Sequence, residues 1–328
     1  MKGLLLTCLS VASLALGAPS VARQDGVTAE QLDSFKLYAQ WSIASSCNSE
    51  KSPGKPVTCT PGQCSMFDAH NATVAASFIG TLLDAQGFVG VDPVDQQIVV
   101  SFRGSTSVRN WIADFIFVQV PCDLTFACLA HTGFMASWAE VAMPVLAAVR
   151  AAKVANPDYK LVVTGHSLGG AVATLAVAYI RKAGYEADLY TYGSPRVGNL
   201  AFARFVTSQP GREYRITHAD DPVPRLPPIL TNYRHVSPEY WIDGGSDGVV
   251  TLDEVDYCPG YSNVQCNGGT KGLNMDSHGW YFQALQGCSL GYTPFRRDIS
   301  DAELEAKLNM YVELDVQLAE NLHAEGQS

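Results

Sequence analysis

The five residues Gly165-His166-Ser167-Leu168-Gly169 constrain this chain more than any other feature. They directly follow a strand-like run, Lys160 to Thr164 (KLVVT), and open an apolar, Ala-rich run from Leu168 to Lys182 that favours a helix. A serine at a sharp strand-to-helix turn sits in a strained conformation with its hydroxyl presented. Glycines on either side of it avoid collision with the turn and the helix. The helix N-terminus behind Ser167 aims free N–H groups at the place where negative charge would develop. Alone, such a pentapeptide also arises as an ordinary tight turn; with both flanks correct it reads as a nucleophile.

The rest of the chain supplies the setting for that turn. Gln97 to Phe102 (QIVVSF), Ala187 to Tyr192 (ADLYTY) and Arg212 to Thr217 (REYRIT) are further strand candidates. Gly133 to Ala155 is a second helix-favouring run, and Pro144 inside it is expected to kink or divide it. Strands alternating with helices imply an α/β fold, a mainly parallel central sheet covered on both faces. Thr28 to Gln31 forms a capping box that opens a helix through about Ser46, and a loop rich in Ser, Pro, Gly and Lys follows from Cys47 to about Cys64. Ser300 to Glu303 forms another capping box, opening a tail helix with Leu304, Leu308, Tyr311, Leu318 and Leu322 on one face. That helix is expected to pack on the domain or on a partner. The expected organisation is a leader over 1–18, one domain over 19–295 and a C-terminal helical extension over 296–328.

A nucleophilic serine needs a base, and the base needs an orienting acid, in the chain order Ser, Asp or Glu, His. Of seven histidines, His235, His278 and His323 stand behind any acid that follows Ser167. His323 sits in the polar tail and His235 in a strand-like run, YRHVS. His278 lies in a loop ahead of an aromatic run, from which a side chain reaches the mouth of the sheet. Asp221 follows the strand REYRIT, where catalytic groups collect in open α/β sheets. Spacing alone does not separate it from its neighbour Asp220.

Composition narrows the surroundings of such a site. A net charge of −10 without a basic run excludes a nucleic-acid partner, and leaves lipid contact to apolar surface. Lys2, the apolar core Leu4 to Leu16, and small residues at Gly17 and Ala18 read as a cleaved signal peptide. A cut after Gly17 is preferred, because Pro19 would otherwise lie directly behind the scissile bond. No other segment approaches the length of a transmembrane helix, so the mature protein is expected to be extracellular, with no integral membrane segment, and monomeric. Cys8 falls in the leader and leaves eight cysteines, an even set that reads as four disulfides. Asn71-Ala72-Thr73 is an N-glycosylation acceptor in that compartment. The histidines are dispersed and no Cys/His cluster has ligand spacing, so neither metal nor other cofactor is expected.

Several segments resemble one family, the fungal extracellular lipases of the class 3 group, which include mono- and diacylglycerol lipases. They are FRGS at 102–105, SVRNW at 107–111, HTGF at 131–134, GHSLGG at 165–170, YGSPRVGN at 192–199, DPVPRLPP at 221–228, SPEYWI at 237–242 and SHGWYF at 277–282. The likeness runs from about residue 30 to 290 and leaves out the tail after about Pro294. It implies the α/β-hydrolase fold with a short helical lid, Ser167 as nucleophile, Asp221 as acid and His278 as base. Asp221 is preferred to Asp220 because it begins the family's D-x-V-P-x-L-P pattern. The resemblance further implies an oxyanion hole from Ser105 and the backbone N–H of Leu168. The disulfides it suggests are Cys47 with Cys288, Cys59 with Cys64 and Cys122 with Cys128, leaving Cys258 with Cys266. The first would close most of the chain, stabilising it by about 4–5 kcal/mol on the chain-entropy model.

Val108, Trp111, Ile112 and Phe115 fall at i, i+3, i+4 and i+7 just behind Ser105. Pattern alone favours a buried amphipathic helix; the resemblance implies a mobile lid hinged near Thr106 and Pro121. Opening it would expose roughly 400 Å² of apolar surface, costing on the order of 10 kcal/mol in water, a cost that a lipid–water interface would remove. The expected activity is hydrolysis of acylglycerol esters through an acyl-enzyme, with interfacial activation. A feruloyl-type esterase on the same scaffold would carry a more polar flap. A non-catalytic lipid-binding relative would have lost the serine or its base.

Overall fold

Runs of β-branched and aromatic residues, buried on both faces, form the centre of the molecule. The computed structural model describes residues 26–324 apart from 84, 106–107, 114–115, 245–247, 286 and 289–298, and no side chain at 110, 111, 323 or 324. The expected leader, Thr106 and Phe115, and the side chains of Trp111 and His323, therefore lie outside the described residues. In chain order the strands are β1 (Thr73–Ile79), β2 (Gln86–Asp92), β3 (Gln97–Phe102), β4 (Gln119–Pro121), β5 (Leu129–His131), β6 (Lys160–His166), β7 (Asp188–Tyr192), β8 (Glu213–His218), β9 (Glu239–Ile242) and β10 (Val255–Cys258). The helices are α1 (Ala29–Asn48), α2 (Val108–Ala113), α3 (Thr132–Ala155), α4 (Leu168–Lys182), α5 (Leu200–Ser208), α6 (Met275–Gly279) and α7 (Asp301–Ala324).

Eight strands make one sheet in the order β1-β2-β3-β6-β7-β8-β9-β10. From β3 to β9 the neighbours are parallel, and the outer pairs β1–β2, β2–β3 and β9–β10 are antiparallel. Alternation along the strands divides the core in two. Ile98, Val100, Leu161, Val163 and Leu189 face α3, α4 and α5. Val99, Val162 and Tyr190 face α1, which brings Phe35 and Trp41. This two-sided cover, expected for a parallel sheet, leaves the strands' carboxyl ends free to carry a site.

α3 runs undivided through Pro144. Pro144 lies on the exposed side of the helix, so the missing N–H and the ring face water and not the core. α3 is also long and apolar enough to cross a membrane, contrary to the expectation that no such segment follows the leader. Its Phe134, Trp138, Val141, Val145 and Val149 are core residues of the domain, which accounts for its hydropathy. The expected strand around His235 is not formed: the segment is a loop with a single bridge from Arg234 to Gly198, and His235 is buried with its Nε2 against the carbonyl of Pro224. Four disulfides are present, Cys47–Cys288, Cys59–Cys64, Cys122–Cys128 and Cys258–Cys266. Asn71 is exposed at a turn, in the left-handed region with φ 56°.

The tail helix α7 packs on the domain. Its buried stripe is Leu304, Leu308, Val312, Asp315 and Ala319, whereas Leu318 and Leu322 are only half-buried. The stripe turns because Asp315 is drawn inward: its carboxylate pairs with buried Arg196 and accepts from the N–H groups of Ile229 and Leu230. Leu304 and Leu308 cluster with Ile112 of α2 and with Val223 and Leu226. Arg109 of α2 pairs with Asp301 and donates to the carbonyl of Ile299.

Candidate active site

The site begins at the turn between β6 and α4. Ser167 has φ 57° and ψ −128°, a conformation few side chains tolerate, and is 1% exposed. The close approaches around it account for its glycines. A Cβ on Gly165 would lie 2.4 Å from the backbone of Gly169, and one on Gly169 would lie 2.4 Å from the carbonyl of Phe102. The turn therefore closes only with glycine at both places, and it presses the start of α4 against the end of β3. Gly104 passes beside Ser167, its notional Cβ 3.5 Å from that of the serine, which sets Ser105 next to the nucleophile turn. The Ser167 N–H donates to Tyr192, whose neighbour Gly193 borders Asp221, His278 and Tyr281.

Asp221 sits where β8 gives way to a tight turn, and its carboxylate is fully buried. His278, 3% exposed, donates Nδ1–H to both of its oxygens at 3.0 and 2.9 Å. The Val223 N–H and the Tyr281 hydroxyl donate to the same carboxylate. Burial alone would raise the Asp221 pKa, but His278 and these donors carry it below the usual carboxylate value. Tyr281 is shifted the other way, by burial and by the neighbouring charge, so it keeps its proton and stays a donor. His278 lies not in a loop but on α6, a single helical turn capped by Asn274, which accepts from the N–H groups of Asp276 and Ser277.

Two buried atoms here have no hydrogen-bond partner, the Ser167 hydroxyl and His278 Nε2. They are the donor and the acceptor, respectively, that a proton transfer from serine to histidine requires. The His166 ring packs at a tilt of 34° against that of His278, with centroids 4.6 Å apart, and donates Nε2–H to the His278 carbonyl. Burial and the nearness of His278 lower its pKa to about 3, so it remains neutral and adds no charge beside His278. The structure thus brings together Ser167, Asp221, His278, Ser105 and Leu168, and keeps His235 apart with its own carbonyl partner.

Asp220, the rival acid, points elsewhere: its Oδ1 accepts from Asn274 and Ser277, not from a histidine. Tyr281 and His166 escaped the sequence reading as partners of Asp221 and His278. Their signal was position, three residues after His278 and one before Ser167, but neither residue type announces such a role. Of the expected lid residues, Val108 is half-buried and Ile112 is 3% exposed beneath α7. At the expected hinge, Pro121 pairs with Leu129 in β4–β5, and the carbonyls of Val118 and Ile116 accept from Thr132 and His131. The segment is hydrogen-bonded to the domain from Ile116 onward.

The likeness to known proteins agrees with this geometry. Residues 99–231 match the family "Lipase (class 3)". The chain is 49% identical to secreted mono- and diacylglycerol lipase 1 of Fusarium solani, over 97% of this chain and 99% of the relative. It is 40% identical to secreted mono- and diacylglycerol lipase A of Penicillium cyclopium, over 89% of this chain and 98% of that one. The crystal structure of the mono- and diacylglycerol lipase from Aspergillus oryzae superposes with a TM-score of 0.75 at 42% identity, covering 78% of this chain and 98% of that one. The Fusarium match leaves too little uncovered to omit the tail, so the resemblance extends further than the motifs indicate. Sequence, fold and likeness over almost the whole length converge on one conclusion: the chain belongs to the class 3 lipases, carboxylic ester hydrolases of the α/β-hydrolase fold.

Proposed function

We propose that this protein is a secreted lipase acting as a monomer on mono- and diacylglycerols at a lipid–water interface, with Ser167 as nucleophile, His278 as general base and Asp221 as the orienting acid. The observation that carries the reading is the buried Asp221–His278 pair beside a serine at positive φ, with Ser167 Oγ and His278 Nε2 both unpartnered. His278 takes the serine proton as Oγ attacks the ester carbonyl, and Asp221 holds the resulting imidazolium. The N–H groups of Ser105 and Leu168 receive the oxyanion; as it collapses, the C–O bond breaks and the glyceryl alcohol leaves with the proton from His278. Water, deprotonated by the restored neutral His278, then attacks the acyl-enzyme, and Ser167 leaves with that proton as the fatty acid is freed.

Two supports bear on substrate and compartment. The Fusarium and Penicillium relatives are named for mono- and diacylglycerols and for secretion, and the eight cysteines paired in disulfides suit an oxidising exterior. The covered apolar face of α2 supports a lid: Ile112 would leave the shelter of α7 only where lipid replaces it.

The test compares hydrolysis of emulsified diolein and triolein, with Ser167→Ala as the blank. The variant is expected to lose about 10⁶ in turnover. Diolein turnover with triolein nearly untouched supports the proposed preference, and equal rates on both would sink it. A rate that shows no upward break as substrate passes from monomers to emulsion would remove the interfacial part.

A further inference from the structure

We propose that Asp220 is a positioning residue for catalysis, holding the helical turn that carries His278. This rests on His278 being the base. Asp220 and Asp221 are adjacent, yet their side chains serve different partners. Asp221 takes the imidazole ring; Asp220 takes the backbone unit that delivers it. One oxygen, Asp220 Oδ1, accepts from the Ser277 hydroxyl at 2.9 Å and from Asn274 Nδ2 at 2.9 Å. Ser277 immediately precedes His278, and Asn274 is the cap of α6.

The need for such an anchor is physical. α6 has five residues, and an isolated helical turn of that length has no stability of its own. Its form depends on the Asn274 cap, and the orientation of the cap depends on Asp220. The loop that carries the acid, by contrast, is held without the Asp220 side chain. Asn267, 1% exposed, donates to the carbonyls of Ala219 and Asp221, and Trp241 donates to Ala219 as well. Arg225 donates to the backbone carbonyls of Asp220, Thr270 and Gly272. The Asp220 carboxylate is therefore spent on the opposite segment, where it fixes the base against the acid. His218 adds a further tie through Nδ1–H to the Ser277 carbonyl.

The test uses the full chain, a water-soluble p-nitrophenyl butyrate substrate, and rates per active site counted by a p-nitrophenyl phosphonate. Asp220→Ala is expected to lower kcat about ten- to a hundredfold with KM within about twofold, because the base is displaced and substrate contacts are not. Asp220→Asn should stay within about threefold of the wild type, since its amide oxygen can accept both bonds. Ser277→Ala, which removes one of the two, should cost about two- to tenfold. A purely structural role would lower the number of titratable sites and leave kcat per site unchanged. An unchanged kcat per site in Asp220→Ala overturns the proposal, as does an Asp220→Asn variant as impaired as Asp220→Ala. If Asp220→Ala fails to fold, Ser277→Ala decides: a loss per site supports the proposal and wild-type turnover overturns it. His278→Ala separates the two readings. A variant retaining a tenth of the activity removes His278 as base and the proposal with it. An inactive His278→Ala beside a fully active Asp220→Ala removes the positioning role alone.

Discussion

The Asp221–His278 region and the contact between α2 and α7 are both covered by protein, but they are held in different ways. Around the acid and base, charged and polar groups are fully buried and multiply bonded: Asp221 accepts from His278, Tyr281 and the Val223 N–H, and Asn267 and Arg225 tie the two chain segments together. Under α7, a small set of aliphatic side chains supplies the contact, and its ion pair is open to water, with the Asp301 side chain 70% exposed. Buried charged hydrogen bonds are unforgiving of displacement, because a lost partner leaves a desolvated charge. Apolar contacts have no such directionality and can be exchanged for lipid. Directional buried bonds hold Asp221 and His278, whereas α2 meets α7 through apolar contact and one exposed ion pair.

The largest expected effect breaks the first half of that contrast. Asp221→Asn keeps the shape of the pocket but mismatches the His278 tautomer, and should lower kcat by about 10⁴. A thermal melt close to wild type, read beside the rate, would show that orientation and not folding was lost. Turnover within tenfold of wild type would mean that His278 is held without the acid.

Next in size is the cover. Leu304 is fully buried against Ile112, and Leu304→Ala should destabilise the α7 contact by about 2–5 kcal/mol. Faster amide exchange at 108–113, with faster turnover of monomeric esters, is the expected pair of readouts. Protection unchanged at 108–113 would show that α7 does not hold α2.

Smaller again is a pH effect. His166 beside the base and His131, whose Nδ1 accepts the first N–H groups of α3, are both held below the ordinary imidazole value of 6.5, chiefly by burial. The unfolded chain then binds more protons than the folded one as pH falls below 6.5. Stability is complete above that pH and declines below it, for His166 over the window from about 6.5 down to about 3, with His131 adding in the same direction. Urea midpoints at pH 7 and pH 5 measure this, and His131→Asn, which can still cap the helix, should flatten the slope. Equal midpoints at both pH values would contradict it. The smallest effect is Asp301→Ala, expected below about 1 kcal/mol because the pair with Arg109 is largely solvated. A larger loss in the same exchange measurement would mean that the ion pair, and not the leucines, sets the closure.

How much of this was legible in the sequence follows the range of each interaction. β3 and α4 have the ends their patterns predict, because strand periodicity and helix propensity act over neighbouring residues. β1 and β2 were missed where Ala and Gly interrupt the apolar run, and β9 and β10 because four residues are too few to show a period. The nucleophile turn is local and was readable. The choice between Asp220 and Asp221 needed a family pattern, since which carboxylate faces the histidine depends on side-chain directions set by partners more than fifty residues away. The role of Tyr281 and the burial of Ile112 under α7 are likewise tertiary.

The Cys47–Cys288 bridge has a consequence for the working life of the enzyme. It makes a covalent ring of the chain from α1 to just beyond His278, with Ser167 and Asp221 inside. A protease in the medium that nicks an exposed loop of that ring leaves the two pieces joined, with the active-site parts still on one molecule. α7 lies outside the ring. A single cut after Cys288 would leave it attached by non-covalent contacts alone, so α7 could part from a molecule whose Ser167, Asp221 and His278 stay joined.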